Sequence, residues 1–232
     1  MALHRSDIPL SQKLQRYLYR VLVSTERLIN LVNDMLNLSR IEAGRIEIAP
    51  KVIDMLELVK DTIEDVKAKA NEKRIQITLL EHNLPKVFAD PDKVREVLLN
   101  LIGNSLKFTY PGGLIAIDFF SDGKMLEITI KDNGAGIAKE DLGRLFHKFS
   151  RLDNSYTSIS TSGGTGLGLY ISKNLIELMH GKIWVESEGV DKGSSFTFSL
   201  PTANKEVLQH AKDYQVEPED GMEAKSLESV AI

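Results

Sequence analysis

The sequence predicts an α+β protein: one long helix, then a domain built on a mixed sheet covered by helices on one face. Three observations lead there. Between Leu10 and about Ala43 no Gly or Pro interrupts a helical apolar pattern. From about residue 46 to Pro201, strand-like and helix-like patterns interleave. Two of the strand patterns, LIAIDFF and MLEITIKD, are joined by the hairpin signal SDGK, so neighbouring strands run antiparallel and an all-parallel doubly wound sheet is disfavoured.

In the long helix, Leu14, Leu18, Val21, Thr25, Leu28, Val32, Met35 and Ser39 alternate spacings of four and three. Leu22, Ile29 and Leu36 widen this stripe beyond what a two-stranded coiled coil needs. One helix cannot bury such a stripe, so it predicts a partner, most simply a second copy of the chain. Gly44 is expected to close it as the residue just past the end. RIEIAP then alternates briefly, MLELVKDTIEDVKAKANEKR (55–74) reads as a helix and IQITLL (75–80) as a strand. After a turn at Asn83 to Pro85, DPDKVREVLLNLIGNSLKF reads as a helix with Asp90 as its N-cap, Pro91 at its first position and its end near Thr109. The hairpin follows, then DNGAGI, a short amphipathic piece KEDLGRLFHKF, and a polar stretch (150–164) expected to be mobile without ligand. GLGLYISKNLIELMHG reads as a helix closed by Gly181, with KIWVESEG and SSFTFSLP as a last pair of strands. The expected division is 1–9, an N-terminal linker or remnant; 10–44, the long helix; 45–201, the α+β domain; and 202–232, a charged flexible tail.

Composition excludes several classes. The chain of 232 residues is 42% hydrophobic with net charge -4, so it has no global basic field for nucleic acid or an anionic membrane. The absence of Cys removes disulfides, thiolate metal sites and cysteine nucleophiles. No apolar run approaches the roughly 20 residues a membrane span requires, and a cytoplasmic chain without membrane contact is expected.

Three motifs can carry chemistry. Asn100, Asn104 and Lys107 stand at i, i+4 and i+7 of one predicted helix and share a face. A carboxamide oxygen there can complete a Mg²⁺ shell otherwise made of phosphate and water; the plainer alternative is a solvated face. GGTGLGL (163–169) runs into a helix, and unpaired N–H groups at such a terminus attract phosphate. It is neither a Walker A loop nor a dinucleotide fingerprint, and a glycine turn serving close packing is the alternative. Asp132, at the end of MLEITIKD, can accept from an exocyclic amine and so select adenine, or can close an Asx-turn on its own backbone. Gly134 and Gly136 follow it in a turn that allows close backbone approach.

In one order and with similar spacing, these motifs resemble those of the sensor histidine kinases. DPDKVREVLLNLIGNSLKFT looks like the N box of their catalytic domain, DNGAGI the G1 box, LFHKF the F box and GGTGLGL the G2 box. STERLINLVNDMLNLSRIEAG (24–44) resembles the second helix of their dimerisation and phosphotransfer domain. The resemblance implies a Bergerat-type two-layer α/β sandwich preceded by one dimerisation helix, with ATP and Mg²⁺ as ligands. It makes Asn104 the metal ligand with Asn100 beside it, Asp132 the adenine-binding residue, Gly134 and Gly136 its glycines and Ile137 an apolar neighbour of the base. Lys107 and Arg151 correspond to cationic phosphate contacts, and Gly164, Thr165, Gly166, Leu167 and Gly168 to the phosphate-facing edge of the lid. Catalytic weight would fall on Asn100, Lys107 and Arg151. The implied partners are a second copy through helix 10–44 and a response regulator receiver domain.

The acceptor histidine departs from the family pattern. In HRSDIPL, His4 and Pro9 have the family's offset, but Arg5, Asp7 and Ile8 replace the acidic, basic and Thr positions. At about 1.5 Å per residue, a single helix consumes the chain between His4 and Asn33, where two helices and a turn are needed. His4 therefore reads as a linker residue, and His82, His147, His180 and His210 as ordinary histidines. The sequence predicts ATP binding with transfer to a histidine supplied in trans. The alternatives are a catalytically silent ATP-binding signalling module, a related ATPase or a serine protein kinase.

Overall fold

The structure, a computed structural model, describes residues 11–81, 83–150, 165–204 and 207. Helix α1 (Gln12–Glu42) begins at Ser11, whose hydroxyl accepts the Leu14 N–H. It ends at Ala43, followed by Gly44 with φ +63°. The apolar stripe expected of it lies open in the single chain: Leu28 is 61% and Val32 53% exposed. The next turns of the helix face the other way, and Leu38 and Ile41 pack against the core of the following domain.

That domain contains β1 (Lys51–Ile53), α2 (Met55–Glu72), β2 (Gln76–Leu79), β3 (Val87–Ala89), α3 (Pro91–Phe108), β4 (Leu114–Ser121) and β5 (Met125–Asp132). It continues with α4 (Lys139–Leu142), α5 (Gly168–Leu178), β6 (Lys182–Glu186) and β7 (Ser194–Pro201). The main sheet has the order β2-β4-β5-β7-β6, with β2 parallel to β4 and the other pairs antiparallel. It is mixed, as the hairpin signal requires. Register aligns one face as an apolar row: Ile117, Ile130 and Phe196 meet across three strands, as do Phe119, Ile128 and Phe198. Val97, Leu98, Leu101, Ile102 and Leu106 of α3 are fully buried with them, as are Leu175 and Ile176 of α5 to within 1%. The opposite face carries polar pairs such as Thr129 and Thr197, whose hydroxyls lie 2.9 Å apart. Among the described residues, no helix is long and apolar enough to cross a membrane.

Four local readings change. RIEIAP forms no ladder; it is held by the Ala49 N–H donating 2.9 Å to Asp90 Oδ2, while Ile46 and Ile48 turn inward. The same Asp90 caps α3 through Oδ1, accepting from Asp92 and Lys93. A small two-stranded sheet, β1 with β3, appears where sequence showed no strand, because three residues are too few to display a period. In KEDLGRLFHKF only Lys139–Leu142 is helical. At the end of α5 the left-handed residue is His180 (φ +58°), not Gly181. Gly181 has a different reason: a Cβ there would stand 2.0 Å from the Ser199 carbonyl of β7.

Candidate functional site

The site is organised by α3. Sequence periodicity places its apolar residues against the sheet and turns Asn100, Asn104 and Lys107 away from the fully buried positions. Asn100 Nδ2 donates 2.8 Å to Ser172 Oγ of α5, and its Oδ1 lies 3.5 Å from Asn104 Nδ2. The second contact is long for a hydrogen bond; with Nδ2 turned toward Asn100, Asn104 Oδ1 is the end left for a cation. Gly168, the first residue of α5, meets Asn100 so closely that a Cβ would stand 2.4 Å from Asn100 Oδ1. The glycine run and the Asn face of α3 are therefore in van der Waals contact, although they lie some 70 residues apart in the chain. Lys107 extends over the Phe108 ring, its Nζ 4.8 Å from the ring centre.

Asp132 meets the same C-terminal half of α3 at Ser105, the residue after Asn104. Alternation along β5 turns Leu126, Ile128 and Ile130 inward, and the same period carries Asp132 inward to 3% exposure. Oδ1 accepts the Gly134 N–H at 2.9 Å, closing the Asx-turn considered from sequence. Oδ2 accepts from Ser194 Oγ at 2.7 Å and from Ser105 Oγ at 3.3 Å. A carboxylate offers about four acceptor directions, so the turn and a further donor are compatible. Gly134 and Gly136 are both required by packing. A Cβ on Gly134 would lie 2.4 Å from the Phe108 carbonyl, and Gly136 (φ +64°) sits where a Cβ would lie 2.0 Å from the Gly189 carbonyl. Ile137, 6% exposed, donates its N–H to Ser187 Oγ at 3.0 Å.

On the glycine loop, Gly166 has φ +75° and Leu167 is fully buried. The Leu167 N–H already donates 3.2 Å to Thr165 Oγ1, which itself donates 2.5 Å to Asp34 Oδ2 of α1. Arg151 and Gly164 lie outside the described residues, as do His4 and the stretch 151–164. Among the described residues no group of three or more His, Cys, Asp or Glu can hold a metal ion. A cation here would have to arrive with its own oxygen ligands, which is how Mg²⁺ commonly binds with phosphates and a single side chain. Asn104 fits that role chemically.

Sequence reasoning missed Ser105, Ser172 and Ser194. Ser105 carried a signal: it is a hydroxyl within the apolar face formed by Leu98, Leu101, Ile102 and Leu106. Ser194 carried none, because it meets Asp132 only through the β5–β7 register.

The fold is a mixed-sheet α/β sandwich docked on a helical arm, with the Asp132 turn and the glycine loop both meeting α3. Comparisons with known proteins agree. The family described as "Histidine kinase-, DNA gyrase B-, and HSP90-like ATPase" matches residues 89–204, half of the chain. The family described as "His Kinase A (phospho-acceptor) domain" matches residues 1–44. The chain belongs to the histidine kinase-, DNA gyrase B- and HSP90-like ATPase family, on its histidine kinase branch. It is 36% identical over 197 residues to the circadian input-output histidine kinase CikA of Synechococcus elongatus, covering 83% of this chain and 26% of the relative. It is 35% identical over 190 residues to the sensor protein GacS of Pseudomonas syringae pv. syringae, covering 79% and 21%. The chain thus spans about a quarter or less of these two curated relatives. A crystal structure of full-length ShkA in complex with AMPPNP superposes with a TM-score of 0.70 at 30% identity, covering 85% of this chain and 41% of that one.

Proposed function

We propose that this chain is the ATP-binding kinase core of a two-component sensor histidine kinase. The observation that carries the reading is the convergence on α3. Asn100 touches Gly168 and Ser172, and Ser105 touches Asp132, so motifs separated in the sequence share one helix as their wall. In this reading Asp132 accepts from the exocyclic amine of adenine and Ile137 flanks the base. Asn104 Oδ1 completes the shell of a Mg²⁺ that arrives with the triphosphate. Lys107, together with Arg151, offsets phosphate charge, and the N–H groups of Gly166, Leu167 and Gly168 with the Thr165 hydroxyl face the phosphates, alongside Gly164. Phosphoryl transfer needs positioning and charge neutralisation more than covalent help, and this set supplies both.

The γ-phosphate goes to an imidazole nitrogen. Among the described residues, His147 and His180 are both exposed and neither belongs to the converging set, and the acceptor is sought in trans. The exposed stripe of α1 fits a second copy of the chain. A response regulator receiver domain is the onward recipient, and the cytoplasm, which supplies ATP, is the compartment. Hydrolysis is disfavoured: at the place where ATPases of this superfamily hold a Glu as base, Asn100 donates to Ser172, and an amide cannot take a proton from water.

Calorimetric titration with ATP, with and without Mg²⁺, tests the binding step. Asn104→Asp and Asp132→Asn should abolish metal-dependent affinity, and unchanged affinity in folded variants would refute the assignment. Mixing the chain with an acceptor-bearing kinase and labelled ATP tests transfer. Acid-labile label on the acceptor is expected; intact binding without label would favour the silent signalling module.

A further inference from the structure

The C-terminal third of α1 meets the catalytic domain through polar side chains as well as through Leu38 and Ile41. Asn37 Nδ2 donates 2.9 Å to Glu96 Oε1 of α3, and Lys148 forms an ion pair with Glu42 while lying 5.2 Å from the centre of the Tyr170 ring of α5. One turn before Asn37 on α1, Asp34 Oδ2 accepts from the Thr165 hydroxyl at 2.5 Å, and Thr165 Oγ1 in turn accepts the Leu167 N–H. A carboxylate of α1 thus already satisfies, through one hydroxyl, a donor at the mouth of α5. Behind the loop, Gly166 is wedged against Phe149 and Ser150, where a Cβ would lie 2.9 Å from the Phe149 carbonyl carbon and the Ser150 oxygen. The loop is clamped from both sides.

We infer that Asp34 is a latch: docking of α1 on the catalytic domain and occupancy of the glycine loop by nucleotide phosphate oppose one another. The inference rests on the nucleotide reading of the site and adds its regulation. The Thr165 hydroxyl has one hydrogen to donate and cannot serve Asp34 and a phosphate at once, and the Leu167 N–H is already committed to Thr165 Oγ1. A phosphate brought to that loop also faces the Asp34 carboxylate, and like charges at a part-buried site repel. Coupling of this kind is reciprocal, so nucleotide must loosen α1 by the factor with which docked α1 weakens nucleotide. Movement of α1, transmitted along its 31 residues, would then set the affinity of the site.

The test is the dissociation constant of Mg-ATP for the full chain, for Asp34→Ala, which removes the latch, and for Asn37→Glu, which sets a like charge against Glu96 at an edge of the docking face away from the glycine loop. Both variants should bind tighter, by about fivefold, the low end of ordinary allosteric coupling. In the unaltered chain, saturating Mg-ATP should speed amide hydrogen exchange over residues 34–42. Unchanged or weaker binding in the folded variants overturns the latch, and weaker binding would make Asp34 a residue that prepares Thr165 for phosphate instead. If one variant fails to fold, the other decides. If neither the unaltered chain nor the variants bind Mg-ATP, the nucleotide reading itself fails and the latch with it.

Discussion

Two glycines near the site should respond to alanine with opposite signs. A Cβ on Gly134 would stand 2.4 Å from the Phe108 carbonyl oxygen and 2.8 Å from both the Phe108 carbonyl carbon and Thr109 Cα. These are backbone atoms at the end of α3, so no side chain can swing aside, and relief requires shifting the turn after β5. Overpacking of this kind costs about 1–3 kcal/mol. Gly103, within α3 between Asn100 and Asn104, has nothing within 4 Å of where a Cβ would point. Alanine there should add about 0.8–1 kcal/mol through helix propensity. At about 2–4 °C per kcal/mol for a domain of this size, Gly134→Ala should melt several degrees lower and Gly103→Ala a few degrees higher. Trp184, the single Trp, sits part-buried on β6 and reports the transition by fluorescence, with urea titration as a check. Because the Gly134 N–H also donates to Asp132 Oδ1, Gly134→Ala should in addition weaken nucleotide binding. A Gly134→Ala protein as stable as the parent, or a destabilised Gly103→Ala, would refute the reasoning.

The remaining predictions concern association and pH. Leu28→Asp with Val32→Asp, two positions exposed in the single chain, should convert a dimer to monomers in analytical ultracentrifugation; a parent chain already monomeric at tens of micromolar would sink the paired-helix reading. At the β4–β5 turn, the Met125 and Lys124 N–H groups hold the Asp122 carboxyl below its usual range. A carboxyl held low when folded adds stability that is fully present above the unfolded value of about 3.9 and is lost as pH falls through the folded value. The gap in urea midpoint between the parent and Asp122→Asn should therefore be constant above about pH 5 and close on acidification, and a pH-independent gap would count against the turn's charge having any role.

The sequence by itself determined what local periodicity and capping determine. The long helix, the Asp90 cap with Pro91 behind it, the alternation that carries Asp132 inward and the shared face of Asn100, Asn104 and Lys107 all follow from residues a few positions apart. Tertiary structure decided the rest. The hydroxyls that hold Asp132 come from 27 and 62 residues away, and the bond from Thr165 to Asp34 spans 131. Gly181 looked like a helix stop, yet its backbone conformation is ordinary; it is the nearness of β7 that leaves no room for a side chain. Hydrogen bonds and steric limits act at contact distance, and which distant residues reach that distance depends on strand register and helix docking. A pattern of types along one chain fixes each element's inner face, and only the packed assembly fixes what that face meets.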